Sequence, residues 1–387
     1  MDNIDEWTKN FDLFDIDYIN NPFPYLDAVR KQGHIAWTNK LNLNWMTTSY
    51  DSLVEIAHDY ESFSSAQGIS IVHFDSDVHH ALAVPLTADP PLHEESKKVI
   101  TRWLTPLKVK EYEPITRDIC KKLIEKKINL NEIDIANDYA KHIPIEIIAD
   151  ILSIEQKDIQ KFTNWIDVIL TESSDIENRN ACRKELAIFL FQNVLKFKEN
   201  PQDNFISSLF NSSLNEIQMT GVCASLFVAG IDTTWSTIGT ILWHLAENPD
   251  HLEYFKNNPD NRYFMMEELL RYYSPVIVTR TVTKDMDYKG CPMKSGDKIV
   301  LNYTAANRDP SLMKDADKII LDRKMNRHVA FGSGIHRCIG ANLARMEIMV
   351  AVETWLDYIP NFKLSNDAPV VWTGGQVRGP RKLLVQF

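Results

Sequence analysis

FGSGIHRCIG, residues 331–340, sets one cysteine among three glycines, with a histidine two residues before it and a helix-like run directly after. A buried structural thiol needs none of that scaffolding, whereas a metal ligand or a nucleophile does. Ile339, Leu343, Met346 and Val350 repeat at helical spacing, so a helix is predicted over about 339–358 with Cys338 at its N-terminal end. Unpaired backbone N–H groups and the helix dipole at that end favour thiolate over thiol. Gly334 can take a backbone geometry closed to other residues, and Gly340 leaves room for a flat, bulky group to approach.

Three roles compete for Cys338. A plain core thiol accounts for neither the glycines nor His336. A nucleophile would use His336 as its base, but residues two apart do not face one another on a helix, and no Asp or Asn orienter is evident nearby. A metal thiolate is the third role. Zinc wants three or four protein ligands, and Cys338 has no companions. Heme iron needs a single axial ligand, and a thiolate there favours O–O cleavage. The third role uses every residue of the stretch.

The remaining composition bounds the possibilities. The chain has 387 residues, 44% hydrophobic and 25% charged, with a net charge of −11, which disfavours nucleic acid and anionic lipid as partners. Five scattered cysteines without CxxC spacing fit a reducing, cytoplasmic setting. The acidic N-terminus MDNIDEWTKNFDLFD is neither a signal peptide nor an anchor. Met219–Leu245 is long enough to cross a membrane. Asp232 near its centre, at a cost of about 2.5–3.5 kcal/mol, points instead to a helix through a protein core. Strands are predicted near 34–50, 276–304 and 370–387, and a helical body over 92–275. The fold class is mainly α with a smaller β region. Residues 64–92 read as a long ordered loop in which HFDSDVHH, His73–His80, carries metal-ligating residue types. That stretch is read as an exposed polar segment, with a lid as one role for it.

The pattern Phe-x-x-Gly-x-x-x-Cys-x-Gly, carried by Phe331, Gly334, Cys338 and Gly340, resembles the heme-binding loop of the cytochromes P450. Three further stretches strengthen the resemblance. AGIDTT, 229–234, is similar to the family's segment on the oxygen-binding side of the heme. There Thr233 would hold oxygen or water, and Asp232 would feed protons from solvent. From the residues alone, the alternative is a threonine bonding back to its own helix. EELLR, 267–271, spaces Glu268 and Arg271 on one helical face. An isolated pair would be a weak surface contact; the resemblance implies a buried structural pair locked by Arg323. TADPPLHEESKK, 87–98, is similar to the stretch that binds a heme propionate. His93 matches, but Lys97 stands where arginine is usual and lacks its two-donor fork. Arg280 and His336 are further propionate partners by resemblance.

The resemblance spans residue 10 to the C-terminus. It implies one domain, 1–387, with the family's triangular-prism fold and a long central helix over heme b. The implied activity is monooxygenation of a small hydrophobic molecule with O2, electrons coming from a separate ferredoxin or flavodoxin and an NAD(P)H-dependent reductase. A peroxide-using relative and a noncatalytic heme-binding relative are the alternatives. Substrate contacts are expected from the long loop 64–92, from Leu226, Phe227 and Ala229, and from Val276–Val278. The redox partner is expected at Arg102, Lys108, Arg337 and Arg345, with Lys98 beside them. No membrane or nucleic-acid partner is expected.

Overall fold

The computed structural model describes residues 2–71, 83–170 and 175–387. His73–His80, and with it the question of a metal at HFDSDVHH, lies outside the described residues. The principal helices are α1 (Tyr50–His58), α2 (Leu92–Trp103), α3 (Pro106–Glu125), α4 (His142–Ile151), α5 (Ile159–Leu170), α6 (Ile176–Glu199), α7 (Glu216–Glu247), α8 (Arg262–Tyr273) and α9 (Ala341–Tyr358).

The longest of these, α7, starts where Asn215 and Gln218 cap each other. Each side chain accepts the other's backbone N–H, at 3.0 and 2.9 Å, which satisfies two N-terminal donors at once. Its apolar residues Val222, Phe227, Ile231, Trp235, Ile238 and Leu242 are buried. The helix packs against α4, α6 and α9, while α9 packs against α3. Apolar faces on so many sides explain why its sequence resembles a membrane span. Among the described residues, no helix is long and apolar enough to cross a membrane.

Strands occur within 34–50, 276–304 and 370–387, and also outside those stretches at Phe63–Ser64, at Glu132–Asp134 inside the helical body, and at Lys363–Leu364. Strands β1 (Ile35–Trp37), β2 (Trp45–Thr47), β3 (Phe63–Ser64), β4 (Ile277–Val282) and β5 (Lys298–Asn302) make one sheet in the order β1-β2-β5-β4-β3. In the β4–β5 pairing Val278 opposes Leu301 and Arg280 opposes Ile299. Alternation along a strand therefore puts Val276, Val278 and Arg280 on one face. At the C-terminus β6 (Val371–Thr373) pairs antiparallel with β7 (Gly379–Lys382). The chain then leaves that hairpin, and Leu384–Gln386 pairs with Glu132–Asp134 and Lys363–Leu364 instead.

Two local departures have local causes. The end of the predicted strand, NYTA, turns into a short helix because the Asn302 side chain caps it, accepting from Ala305 N–H at 3.0 Å. Within the helical body, Ile135–Ala140 is wound as a π-helix capped by Asp134. The largest apolar cluster draws residues from Val84 to Val385 and lies around α7.

Candidate active site

One cavity gathers most of the residues singled out in the sequence. Its empty space, counted together with the open solvent at its mouth, is ≈1370 Å³. Its wall includes Cys338, Gly340, Phe331, His336, His93 and Lys97, and also Thr233, Ala229, Val276 and Val278.

The Cys338 loop is held from several directions. The Cys338 amide donates to the Phe331 carbonyl at 2.8 Å, and the Lys97 ammonium donates to the carbonyls of Ile335 and Arg337. Gly334 has φ +70, and a Cβ there would run into the Ala57 carbonyl of α1. The glycine is thus required both by the neighbouring backbone and by its left-handed φ. Gly340 lines the cavity, and a Cβ there would lie 3.9 Å from the cysteine sulfur. Cys338 is exposed to the cavity; enclosure by the surrounding chain pushes its thiol pKa up, while the Gly340 amide, Arg337, Arg345 and Lys97 pull it down. A bound metal cation would hold it as the thiolate.

A buried group of donors lies beside the loop. The rings of His93 and His336 meet edge to face at 4.4 Å. Nδ1 of His93 and Nε2 of His336 are buried with no hydrogen-bond partner among the described residues. Burial lowers the His336 pKa to about 2, assisted by Arg280, His93 and Lys97, and burial followed by Lys97 lowers that of His93 to about 4. Arg280 is buried, donates to the carbonyl of Thr279 at 2.8 Å, and has no carboxylate in ion-pair contact among the described residues. Buried unpaired donors and a buried cation are costly. Anionic carboxylates placed among them would satisfy all three, so these residues fit the propionates of a heme. Lys97 is spent on the loop carbonyls in this structure.

The expected ion pair is buried and larger than its two members. Glu268 and Arg271 are each 0% exposed. The two nitrogens Nε and Nη2 of Arg271 meet the carboxylate at 2.8 and 2.9 Å. Arg323 Nε donates to both Glu268 oxygens at 3.1 Å. Sequence reading missed the other donors, the Ile320 amide at 2.8 Å and the Asn326 amide group at 3.1 Å. Arg271 also donates to the carbonyls of Asn307, Ala316 and Lys318. The network pins the segment leading into the Cys338 loop.

On α7, Leu226, Ala229, Gly230, Thr233, Thr234 and Thr237 share one stripe along the cavity. The hydroxyl of Thr233 donates to the Ala229 carbonyl at 2.7 Å, the back-bonded arrangement that the sequence left open. Phe227 was expected in the pocket, but it is turned into the core against the ring of Phe162 at 4.9 Å. Asp232 is buried off the cavity wall and ion-paired to Arg381 of β7 at 2.6 Å.

Arg345 also departs from expectation. It grips Glu267 at 2.6 and 2.8 Å and lies over the Phe331 ring at 4.3 Å, so it braces the loop and is not a free cation for a partner. Lys108 pairs with Glu111 at 3.2 Å. Arg102, Lys98 and Arg337 are exposed.

One cavity residue went unread in the sequence. Glu347, inside the apolar run of α9, lines the cavity at 1% exposure, and burial pushes its carboxyl up to about 8 against a weaker opposing contact from Thr234. A glutamate inside an apolar helical stripe was the available signal.

Comparison with known proteins agrees with this geometry. The family model for cytochrome P450 matches residues 144–261 and 264–369. The chain is 28% identical over 366 residues to a putative cytochrome P450, YjiB, of Bacillus subtilis, covering 90% of each. It is 30% identical over 350 residues to a probable cytochrome P450 127A1 of Sinorhizobium fredii, covering 89% of this chain and 83% of that one. A solved structure of P450BioI in complex with hexadec-9Z-enoic acid ligated acyl carrier protein superposes with a TM-score of 0.87 at 25% identity, covering 96% of this chain and 99% of the other.

Proposed function

The chain belongs to the cytochrome P450 family and is a heme b monooxygenase, and on that premise we propose that it oxidises an apolar small molecule held between Cys338 and Thr233. The overall reaction takes substrate, O2, two electrons and two protons to hydroxylated or epoxidised product and water. When bound, the heme activates dioxygen and carries out the two-electron oxidation of the substrate.

The observation that carries this reading is a single cavity lined by both Cys338 and Thr233. Cys338 would supply the thiolate ligand to the heme iron. His93, His336 and Arg280 would hold the propionates, their burial and the unpartnered nitrogens of the two histidines being the support for that assignment. Thr233 would release its back-bond to Ala229 and turn its hydroxyl to the cavity, and Asp232 would supply protons behind it. Leu226, Ala229, Val276 and Val278 present apolar surface to the substrate. The acyl chain in the similar P450BioI complex is of that apolar kind.

Residues 1–387 are read as one catalytic domain, because one apolar cluster draws on residues from Val84 to Val385 and two smaller ones join residues between Trp7 and Ile71 to residues between Ile277 and Val329. Electrons come from a separate ferredoxin or flavodoxin with its NAD(P)H reductase. Exposed Arg102, Arg337 and Lys98 offer a local cationic face to an acidic donor on a chain of net charge −11.

Thr233→Ala tests the oxygen-side assignment. Product formed per NAD(P)H is expected to fall by about tenfold or more, with peroxide appearing in its place. Unchanged coupling contradicts the role.

A further inference from the structure

Tyr303 brings to the cavity wall a hydroxyl that no other described residue uses. It follows β5 directly, as the first residue of the short helix that Asn302 caps. Its side chain is buried, 7% exposed, in the apolar cluster of Leu53, Ile56 and Val329. It also lines the cavity, the only tyrosine to do so among the described residues. A buried tyrosine hydroxyl ordinarily finds a hydrogen-bond partner. That of Tyr303 has none among the described residues.

The position of the hydroxyl says what it faces. A Cβ on Gly332 would lie 3.5 Å from the Tyr303 oxygen, so that oxygen sits against the loop that carries Cys338, the side of the cavity given to the prosthetic group. Burial raises the phenol pKa, Arg280 lowers it and Cys338 raises it. The hydroxyl is therefore a protonated donor within electrostatic reach of both the buried cation and the thiol. Lys97, which by resemblance would reach a propionate, is turned elsewhere: its ammonium donates to the carbonyls of Ile335 and Arg337.

We infer that Tyr303 is a heme-anchoring residue: its hydroxyl donates to a propionate carboxylate beside Arg280, in the place that Lys97 gives up by holding the Cys338 loop. The inference rests on the reading that this cavity takes a heme on Cys338. Two side chains then divide one task. Lys97 steadies the thiolate loop from α2, and Tyr303 fixes the carboxylate from the end of β5. A hydroxyl donated to a carboxylate is a charge-assisted bond, stronger than a neutral one. It also draws negative charge off the carboxylate, which favours the reduced iron.

The test compares wild type, Tyr303→Phe and Lys97→Met, each reconstituted with heme b and with its dimethyl ester, which carries no carboxylate. Heme loss is followed as transfer into excess apomyoglobin, and the iron reduction potential by dye-equilibrated titration. The carbon monoxide spectrum of reduced wild type comes first: no long-wavelength Soret band fails the underlying heme-thiolate reading, whereas the outcomes that follow bear on Tyr303 alone. With heme b, Tyr303→Phe is expected to lose heme about tenfold faster than wild type and to be harder to reduce. With the ester both differences vanish, which a merely structural role for the ring would not allow. Lys97→Met is expected to weaken the long-wavelength Soret band equally with either heme. The assignment is overturned if Tyr303→Phe matches wild type with heme b, if its defect persists with the ester, or if the ester removes the defect of Lys97→Met instead. If Tyr303→Phe does not fold, wild-type protein grown on 3-fluorotyrosine decides. The propionate bending band of its resonance Raman spectrum shifts if the Tyr303 hydroxyl binds there, and an unmoved band overturns the assignment.

Discussion

Glu347 shows how burial rewrites a side chain that sequence treats as ordinary. Burial raises its carboxyl pKa from the ordinary 4.5 to about 8, so the folded state binds that proton more tightly. The stability this provides is complete below about 4.5 and is lost as pH rises through about 8. Glu347→Gln, which has no proton to lose, should flatten that decline and be more stable than wild type at alkaline pH by on the order of a few kcal/mol. Urea midpoints at acid and alkaline pH check this, and identical pH slopes would contradict it. Legibility in the sequence followed distance along the chain. Cys338, His336, Gly334 and Gly340 lie within seven residues and announced themselves together. Arg381 stands 149 positions from Asp232, and nothing in the local pattern of either residue points to the other. Phe227 was misplaced because a one-residue step on a helix turns a side chain by about 100°, enough to exchange cavity for core.

The segment after α8 has little regular structure between Arg308 and Gly340, and it is ordered by carbonyls that converge on Arg271 and by donors that converge on Glu268. Spacing of three on α8 identified the pair. It could not reveal the amide of Ile320 or the side chain of Asn326, since irregular backbone leaves no period to read. Because both partners are fully buried, removing one strands the other. Glu268→Ala is expected to cost about 3–5 kcal/mol and to release bound heme, whereas an exposed pair would cost under about 1 kcal/mol. Thermal melting together with heme retention distinguishes the two, and a loss below that smaller figure would contradict the network's role. The strands were legible where β-branched residues and glycine turns coincide, as in VIVTRTV. The short helix at Tyr303–Asn307 was not, because the capping action of Asn302 depends on its backbone geometry.

Across the whole molecule, a mainly α body and a smaller β region meet at one cavity whose wall runs from Pro85 to Ile348. Helix α7 contributes the stripe ending in Thr237, β4 contributes Val278, and the loop before α9 contributes Cys338. Long-range assembly of this kind explains why an acidic chain of 387 residues shows no linker: no stretch of it builds the site alone. The buried nitrogens of His93, His336 and Arg280 have a use only if a carboxylate-bearing group sits among them, and Cys338, exposed to the cavity, has one only if a metal takes its sulfur. Both conditions are met by heme ligated through Cys338, and the absorption spectrum of the reduced protein under carbon monoxide tests that most directly. A Soret band shifted to long wavelength, lost in Cys338→Ala, is the expected result; a band at the unshifted position of nitrogen-ligated heme, or one that survives the substitution, would contradict it.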